Sequence, residues 1–237
     1  MKKRSYFFIS LAGFLLMAFL FSACKKDNDV PNTPVAGLMA FNLAPEQSSI
    51  GIAINGSNLT SSPLNYTNYT GGYQPVYVGN REVESYDFAT GSTLASTTQL
   101  FEDSAYYSVF FVGVNGNYKN IVVEDNIDSL SATSGQAFVR YINAITDSTG
   151  QPTVTISASG TNVFNDNASF ASVSQFKPIT SGDISINVTS NSDVNASRTI
   201  SLDEGKIYTV LLTGTPGASD STNAVQIKFI QNGEVTP

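Results

Sequence analysis

The fold is decided by a stretch that occurs twice, as Phe101-Glu-Asp-Ser-Ala-Tyr-Tyr-Ser-Val-Phe-Phe-Val-Gly113 and as Leu202-Asp-Glu-Gly-Lys-Ile-Tyr-Thr-Val-Leu-Leu-Thr-Gly214. In each copy an acidic turn leads into an apolar run that contains a tyrosine and ends at a glycine. Apolar runs of this density and length are typical of central strands that are covered on both faces. The two stretches therefore predict two copies of one β fold.

Three further matches occur in the same order along the chain. They are Ala36–Asn42 with Ala137–Asn143, Ile50–Gly56 with Val154–Gly160, and Tyr73–Pro75 with Phe176–Pro178. The offset between the copies stays between 101 and 104 residues over all four matches. Chance is a poor explanation for four collinear matches, so the pattern indicates an internal duplication.

The remaining pattern is that of short strands separated by turns. Branched residues alternate with small or polar ones in Ile50–Ile54 and in Ile184–Val188, which places them on one face of a strand. No apolar stripe at helical spacing extends over three turns. Turn residues separate the strand-like runs, at Asn55-Gly56, Gly71-Gly72, Gly79-Asn80, Asn115-Gly116, Ser181-Gly182 and Asn232-Gly233.

Several short strands with frequent turn signals predict an all-β sandwich or barrel. We predict two tandem antiparallel β-sandwich domains over residues 35–128 and 135–237, joined by a linker over residues 129–134. Domains of about 100 residues bury enough surface to fold without disulfides. None is available within the chain, because the sequence contains a single cysteine.

At these motifs the chain resembles a bacterial family, the domain of unknown function 4397 (DUF4397). The resemblance rests on the opening strand, on the Ile-x-Ile-x-Ile strand that ends in Asn-Gly, and on the acidic turn before the tyrosine-containing strand. Two copies would cover nearly all of the chain after the stalk. The resemblance implies immunoglobulin-like sandwiches on a secreted or lipid-anchored protein, and it brings no established activity. The His-Ala-Ser-Pro signature of the family stands here as Asn42–Pro45 and Asn143–Thr146.

Residues 1–23 have the layout of a secretory signal peptide. Lys2-Lys3-Arg4 is followed by the apolar run Tyr6–Phe21 and by the small residues Ser22 and Ala23. Small residues directly before Cys24 resemble the lipobox of bacterial lipoproteins, which implies cleavage before this residue and lipidation of its thiol. Two or more acyl chains on Cys24 would anchor the protein stably to a membrane. The alternative is a free cysteine in a core.

Residues 24–34 form a predicted flexible stalk, because they lack apolar periodicity and contain two prolines. The order Lys25-Lys26-Asp27-Asn28-Asp29 resembles the signal that sends some Gram-negative lipoproteins to the outer face of the outer membrane. We therefore expect a protein anchored in the outer membrane of a Gram-negative bacterium and exposed at its surface. A solvated linker is the simpler explanation of the same residues.

Composition excludes several classes of function. The chain contains no histidine, which excludes a Ser-His-Asp or Cys-His catalytic site and removes the usual nitrogen ligand of zinc. Cleavage before Cys24 would remove three basic residues and no acidic one, taking the formal charge from −7 to −10. That charge argues against nucleic acid as a partner. We predict no enzymatic activity, no metal and no cofactor.

Adjacent carboxylates are the remaining candidates for chemistry. Glu102-Asp103 and Asp203-Glu204 occupy equivalent positions in the two copies, and Glu124–Asp128 is also acidic. Such residues serve as general acids and bases or as calcium ligands. However, neighbours in a strand point to opposite faces, and turns select these residues for local hydrogen bonds. A solvated turn is the favoured interpretation.

Tyrosines cluster between Asn65 and Tyr77 in the first copy only. A tyrosine offers rigid contact area together with a hydroxyl group, which suits recognition of a glycan or a protein. We assign Tyr66 and Tyr69 as candidate ligand contacts, with a place in a core face as the alternative. Tyr73 is assigned to the core.

The function predicted from these observations is a lipid-anchored envelope protein that acts as a non-catalytic binding or adhesion module. Its expected partners are the membrane, through Cys24, and a glycan or an envelope protein. One alternative is a purely structural spacer. A second and weaker alternative is a carboxylate-dependent glycosidase, which needs two acids facing each other across a cleft.

Overall fold

The part of the chain that the structure describes is built mainly from β-strands and the turns that connect them. Its computed structural model describes residues 33–131, 133–146, 150–190 and 194–235. In this part of the chain no helix is long and apolar enough to cross a membrane. The strands are β1 (Val35–Asn42), β2 (Ser49–Ile54), β3 (Ser57–Asn58), β4 (Leu64–Asn65), β5 (Gln74–Tyr77), β6 (Gly79–Asp87), β7 (Thr93–Phe101), β8 (Tyr106–Val114), β9 (Asn117–Glu124), β10 (Gln136–Ile145), β11 (Thr153–Ala158), β12 (Thr161–Asn167), β13 (Lys177–Thr180), β14 (Gly182–Thr189), β15 (Asn195–Leu202), β16 (Lys206–Gly214) and β17 (Gln226–Glu234).

The strands form four sheets, two in each repeat. In repeat 1 the outer sheet has the order β3-β2-β6-β7, with β4 also paired to β2, and the inner sheet has the order β5-β1-β8-β9. In repeat 2 the inner sheet is β13-β10-β16-β17 and the outer sheet is β12-β11-β14-β15. Each repeat is therefore a sandwich of two sheets, which confirms the predicted all-β class and the two tandem sandwiches.

The two repeats share one pattern of strand pairing. The first strand of each repeat, β1 or β10, runs antiparallel to one neighbour, β5 or β13. It runs parallel to its other neighbour, β8 or β16, and the remaining neighbours are antiparallel. A short 3₁₀ helix, Ile127–Ser129, follows the last strand of repeat 1, in the region where the sequence predicts the boundary.

Alternate side chains of the central strand of each repeat point to opposite faces of the sheet and enter two different cores. In β8, Tyr107, Val109 and Phe111 face the outer sheet of repeat 1 and are buried there. The intervening residues Phe110 and Val112 face the other way and are buried as well. The structure thus confirms that the dense apolar runs are strands covered on both faces.

The second face of each inner sheet is covered by the other repeat. A third apolar cluster joins side chains from β1 and β8 to side chains from β10, β16 and β17. The described residues from Pro34 onward accordingly form one compact unit of four stacked sheets. This cluster, called the inter-repeat core below, contains Met39, Phe41, Leu43, Phe110, Val112, Ile142, Ala144, Leu211 and Ile230.

One tyrosine in each repeat ties the acidic turn to the central strand. The hydroxyl of Tyr107 accepts a hydrogen bond from the backbone N–H of Glu102 at 3.2 Å. The hydroxyl of Tyr208 accepts one from Asp203 at 3.1 Å. The same bond in both repeats explains why tyrosine recurs at this position, much as in the tyrosine corner of immunoglobulin-like sandwiches.

One predicted turn is wrong. Asn232-Gly233 lies inside β17, where the register against β16 shifts between Ile207 and Tyr208. The extra residue forms a bulge, for which glycine and asparagine are as suitable as for a turn. The side chain of Asn232 is buried and accepts a hydrogen bond from Thr209 at 2.6 Å.

Buried Tyr141 makes stability sensitive to alkali. Its hydroxyl donates to Asp166 Oδ2 at 3.2 Å, and burial, followed by the nearby carboxylate, raises its pKa to about 12. An unfolded tyrosine ionises near pH 10.0. The protonated form therefore stabilises the folded state fully below pH 10, and this contribution is lost as the pH rises through about 12.

We expect Tyr141→Phe to flatten the fall in unfolding free energy above pH 10, by on the order of 2 kcal/mol between pH 10 and 12. Guanidinium titrations of the two proteins at half-unit pH intervals measure this difference. Parallel curves for wild type and variant would show that Tyr141 does not carry the effect.

Candidate binding surface

Cys24, the predicted lipidation site, lies outside the described residues. The same holds for the predicted signal peptide and for most of the predicted stalk. Lipidation of Cys24 therefore stays a prediction.

Tyr66 lies where the two repeats meet. It follows β4 and its half-buried side chain reaches repeat 2, where its hydroxyl lies 3.0 Å from Thr213 Oγ1. Thr213 in turn donates to the backbone carbonyl of Leu43 at 3.1 Å. Burial raises the pKa of the Tyr66 hydroxyl, and the negative charge of Asp220 adds to the increase. The hydroxyl is thus a neutral hydrogen-bonding group at physiological pH.

Tyr69 is placed differently. Its ring stacks on Phe41 of the inter-repeat core, with ring centroids 5.6 Å apart and planes inclined by 15°. The side chain is half-buried, and its other side lines a shallow polar depression of about 230 Å³ between residues 59 and 74. The sequence left open whether Tyr69 belongs to a core or to the surface. Its ring contacts both. Contact with a ligand stays a prediction for both tyrosines.

An open groove of about 560 Å³ runs beside Tyr66 between the two repeats. We call it the inter-repeat groove. Its lining is rich in hydroxyl and amide groups, with one aromatic ring and one amine. That amine, Lys228 Nζ, donates to Thr67 Oγ1 across the repeats at 2.8 Å. The lining residues are Pro45, Ser48, Asn65, Tyr66 and Thr67 from repeat 1, and Ser221, Thr222, Asn223, Gln226 and Lys228 from repeat 2.

A buried polar cluster also joins the two inner sheets. Arg140, on β10, is only 2 % exposed, and its Nη1 donates to Asp125 Oδ1 at 2.6 Å. Its Nη2 donates to Ser108 Oγ at 2.9 Å, and its Nε donates to Thr209 Oγ1 at 3.0 Å. The guanidinium thus reaches three partners, two in repeat 1 and one in repeat 2.

Aromatic rings and a further hydroxyl complete this cluster. The guanidinium carbon of Arg140 lies 4.3 Å from the ring centroid of Phe176 and 5.6 Å from that of Phe110. Tyr73 donates its hydroxyl proton to Asp125 Oδ2 at 2.5 Å, and burial, followed by the charge of Asp125, raises its pKa. Tyr73 is therefore half-buried at the repeat interface, and its hydroxyl is committed to this cluster.

Sequence reasoning missed the Arg140–Asp125 pair. A signal was present, because Arg140 interrupts an apolar strand at the position where repeat 1 has Met39. A charge in such a strand requires a buried partner. The partner was not identifiable, since Asp125 lies in another repeat, within an acidic stretch that resembles a solvated loop.

The adjacent carboxylates lie in exposed turns. Asp103 accepts a hydrogen bond from the backbone N–H of Val35 at 3.1 Å, and Glu204 accepts one from Gly135 at 2.8 Å. Each acidic turn thereby fixes the chain where it enters the first strand of its own repeat. Across the described ranges, no group of three or more acidic, histidine or cysteine side chains is placed to hold a metal ion.

Comparison with known proteins gives one family. The model of a domain of unknown function (DUF4397) matches residues 36–149 and again residues 137–235. No curated protein matches the chain.

Solved structures with a low level of similarity to the chain include two from Bacteroides. A proposed cell adhesion protein from Bacteroides eggerthii has 10 % sequence identity and a TM-score of 0.25, covering 85 % of this chain and 96 % of its own. A second, from Bacteroides uniformis, has 11 % identity and a TM-score of 0.23, covering 84 % of this chain and 98 % of its own. At these TM-scores neither similarity bears on what this chain does.

Proposed function

The chain belongs to the family of the domain of unknown function DUF4397, of which it contains two copies, and from this premise we propose that it is a non-catalytic binding module of the cell envelope. The ligand site is the inter-repeat groove, and the ligand is a glycan or a protein loop rich in hydroxyl groups. A family without a defined function supplies no ligand, so the proposal rests on the chemistry of the groove.

The observation that carries the proposal is the lining of the inter-repeat groove. Tyr66 contributes an aromatic surface, Asn65 contributes an exposed side-chain amide, and Gln226 contributes an amide oxygen as acceptor. Sugars present an apolar ring face together with hydroxyl groups, which this combination matches. Because the walls belong to two sandwiches packed on a common core, the groove needs little ordering when a ligand binds.

Anchoring belongs to the same proposal. Lipid on Cys24 would hold the protein to the outer membrane, with residues 25–34 as a tether and the groove facing outward. Several acyl chains give stable attachment without a membrane-spanning helix.

A binding assay on the soluble chain from residue 25 to residue 237 tests the groove. We expect retention on a glycan array or on immobilised envelope extract, and at least about tenfold weaker binding for Tyr66→Ala, because aromatic anchors dominate interface energies. Tyr66→Phe keeps the ring and removes only the bond to Thr213, so it should retain most of the affinity. Bound glycan or protein is measured by biolayer interferometry.

Leu100→Ala is the control, since Leu100 is 50 % exposed and does not line the inter-repeat groove. Equal loss for Tyr66→Ala and Leu100→Ala would contradict a site at the groove. If Tyr66→Ala combined with Tyr69→Ala changes nothing except stability, the chain acts as a structural spacer. Release of reducing sugar from a bound glycan would instead support the glycosidase alternative.

A further inference from the structure

Repeat 1 contains a second groove, at the open edge of its sandwich, and we call it the edge groove. It has a volume of about 430 Å³ and lies between the edge strand β5 of the inner sheet and the edge strand β3 of the outer sheet. Its walls are mainly aliphatic and one cation lies among them. The lining residues are Val35, Ile54, Asn55, Ser57, Asn58, Leu59, Pro75, Val76, Tyr77 and Arg81.

The internal duplication offers a comparison for this edge. Relative to the second strand of each repeat, Val83 pairs with Ile54 and Ile184 pairs with Ala158, and both Val83 and Ile184 are buried. Arg81 lies two residues before Val83, where β14 has Gly182. The guanidinium at this edge is thus present in repeat 1 and absent from repeat 2.

Arg81 brings an uncompensated charge to these walls. Its Nε donates to the carbonyl of Tyr77 at 3.2 Å, and its Nη2 donates to the carbonyl of Val78 at 2.7 Å. Neither of the ion pairs found among the described residues includes Arg81. Its Nη1 group donates no hydrogen bond to any of the described residues. A half-buried guanidinium held in this way favours a carboxylate as its partner.

The edge of β5 is protected against an added peptide strand. Pro75 has no N–H to donate, and the carbonyl of Tyr77 already accepts from Arg81. An extended peptide would therefore find few free backbone groups here, which leaves the aliphatic walls and the guanidinium as the groups that recognise a ligand.

We propose that the edge groove binds an alkyl carboxylate of the fatty-acid type. The alkyl chain lies against Ile54, Leu59 and Val76, and the carboxylate accepts hydrogen bonds from Arg81. This site is separate from the inter-repeat groove and does not depend on the function proposed for it.

Methyl-selective NMR on the soluble chain from residue 25 to residue 237 tests the proposal. The probe is decanoate below its micelle-forming concentration, and decanol serves as the uncharged comparison. We expect saturable shifts of the methyl groups of Ile54, Leu59 and Val76, and at least about tenfold weaker binding of decanol, because a hydrogen-bonded charge pair is lost.

Two variants and one control sharpen this test. Arg81→Gln should weaken decanoate binding at least about tenfold, and Arg81→Ile, which removes every donor of this side chain and adds an apolar group, should abolish it. Arg198→Gln is the control, because Arg198 also donates to a backbone carbonyl, that of Ile227 at 2.6 Å, but lies in repeat 2. It should bind decanoate as the wild type does.

Several results would overturn the proposal. Shifts that do not saturate, shifts centred on repeat 2, or equal affinities for decanoate and decanol each exclude a carboxylate site at Arg81. If decanoate leaves the methyl groups unchanged and the acetylated peptide Leu-Val-Glu shifts them, the groove is a peptide site and the fatty-acid assignment is wrong.

Discussion

Asp125→Ala is expected to lower the free energy of unfolding by about 3–5 kcal/mol, because it leaves Arg140 as a buried charge without a partner. Asp125 is 1 % exposed and accepts hydrogen bonds from Arg140, Tyr73 and Ser108. Arg140 is 2 % exposed, so solvent does not replace these contacts. Chemical denaturation followed by circular dichroism measures the loss, with the denaturant dependence of both proteins compared.

Replacing both members of the ion pair should cost much less stability than removing one of them. We expect the double variant Arg140→Met with Asp125→Asn to recover most of the stability lost in Asp125→Ala, since apolar replacement of a buried ion pair is often neutral or stabilising. Methionine is a suitable replacement because Met39 already occupies the equivalent position of repeat 1. A double variant as unstable as Asp125→Ala would show that the ion pair itself, and not an orphaned charge, determines stability.

Gly113→Ala is expected to lower the free energy of unfolding by about 3 kcal/mol or more, because the backbone of the partner strand occupies the position of the new methyl group. A Cβ at Gly113 would lie 2.2 Å from the carbonyl oxygen of Asn117 and 2.7 Å from the Cα of Tyr118. Its φ of +136° adds strain for any residue with a side chain. Thermal denaturation of the variant measures the cost.

Gly116→Ala is the matched control in the same hairpin. Gly116 also has a positive φ, of +76°, but a Cβ there would meet nothing within 4 Å. Only the backbone strain remains, so we expect the free energy of unfolding to fall by about 1 kcal/mol. Similar losses for the two variants would show that the close approach of β9 at Gly113 is relieved by small movements of the hairpin.

Periodicity was sufficient to predict the strands and the two sandwiches. The alternation in Ile184–Val188 became β14, with every second residue buried, and the dense run before Gly113 became a strand buried on both faces. Alternation of this kind states which residues are covered. It does not state what covers them, and for this reason the packing of one repeat on the other was not predicted.

The candidate site was predicted in part for the same reason. Tyr66 was identified from its residue type, and the structure places it at a groove whose second wall comes from residues about 150 positions later in the chain. Asp125 and Arg140 were not identified, because one looked like a loop residue and the other like a strand residue. Pairing between distant segments depends on three-dimensional packing, which neither composition nor spacing encodes.

The inter-repeat core has a consequence for how such a protein arises. Several of its members occupy equivalent positions in the two copies, such as Phe41 with Ile142 and Phe110 with Leu211. A single copy would expose this apolar sheet face to water and would have to bury it in a dimer, whose stability depends on protein concentration. Fusion of two copies in one chain makes that pairing independent of concentration. It also allows the two halves to differ, as they do where one has Met39 and the other has Arg140.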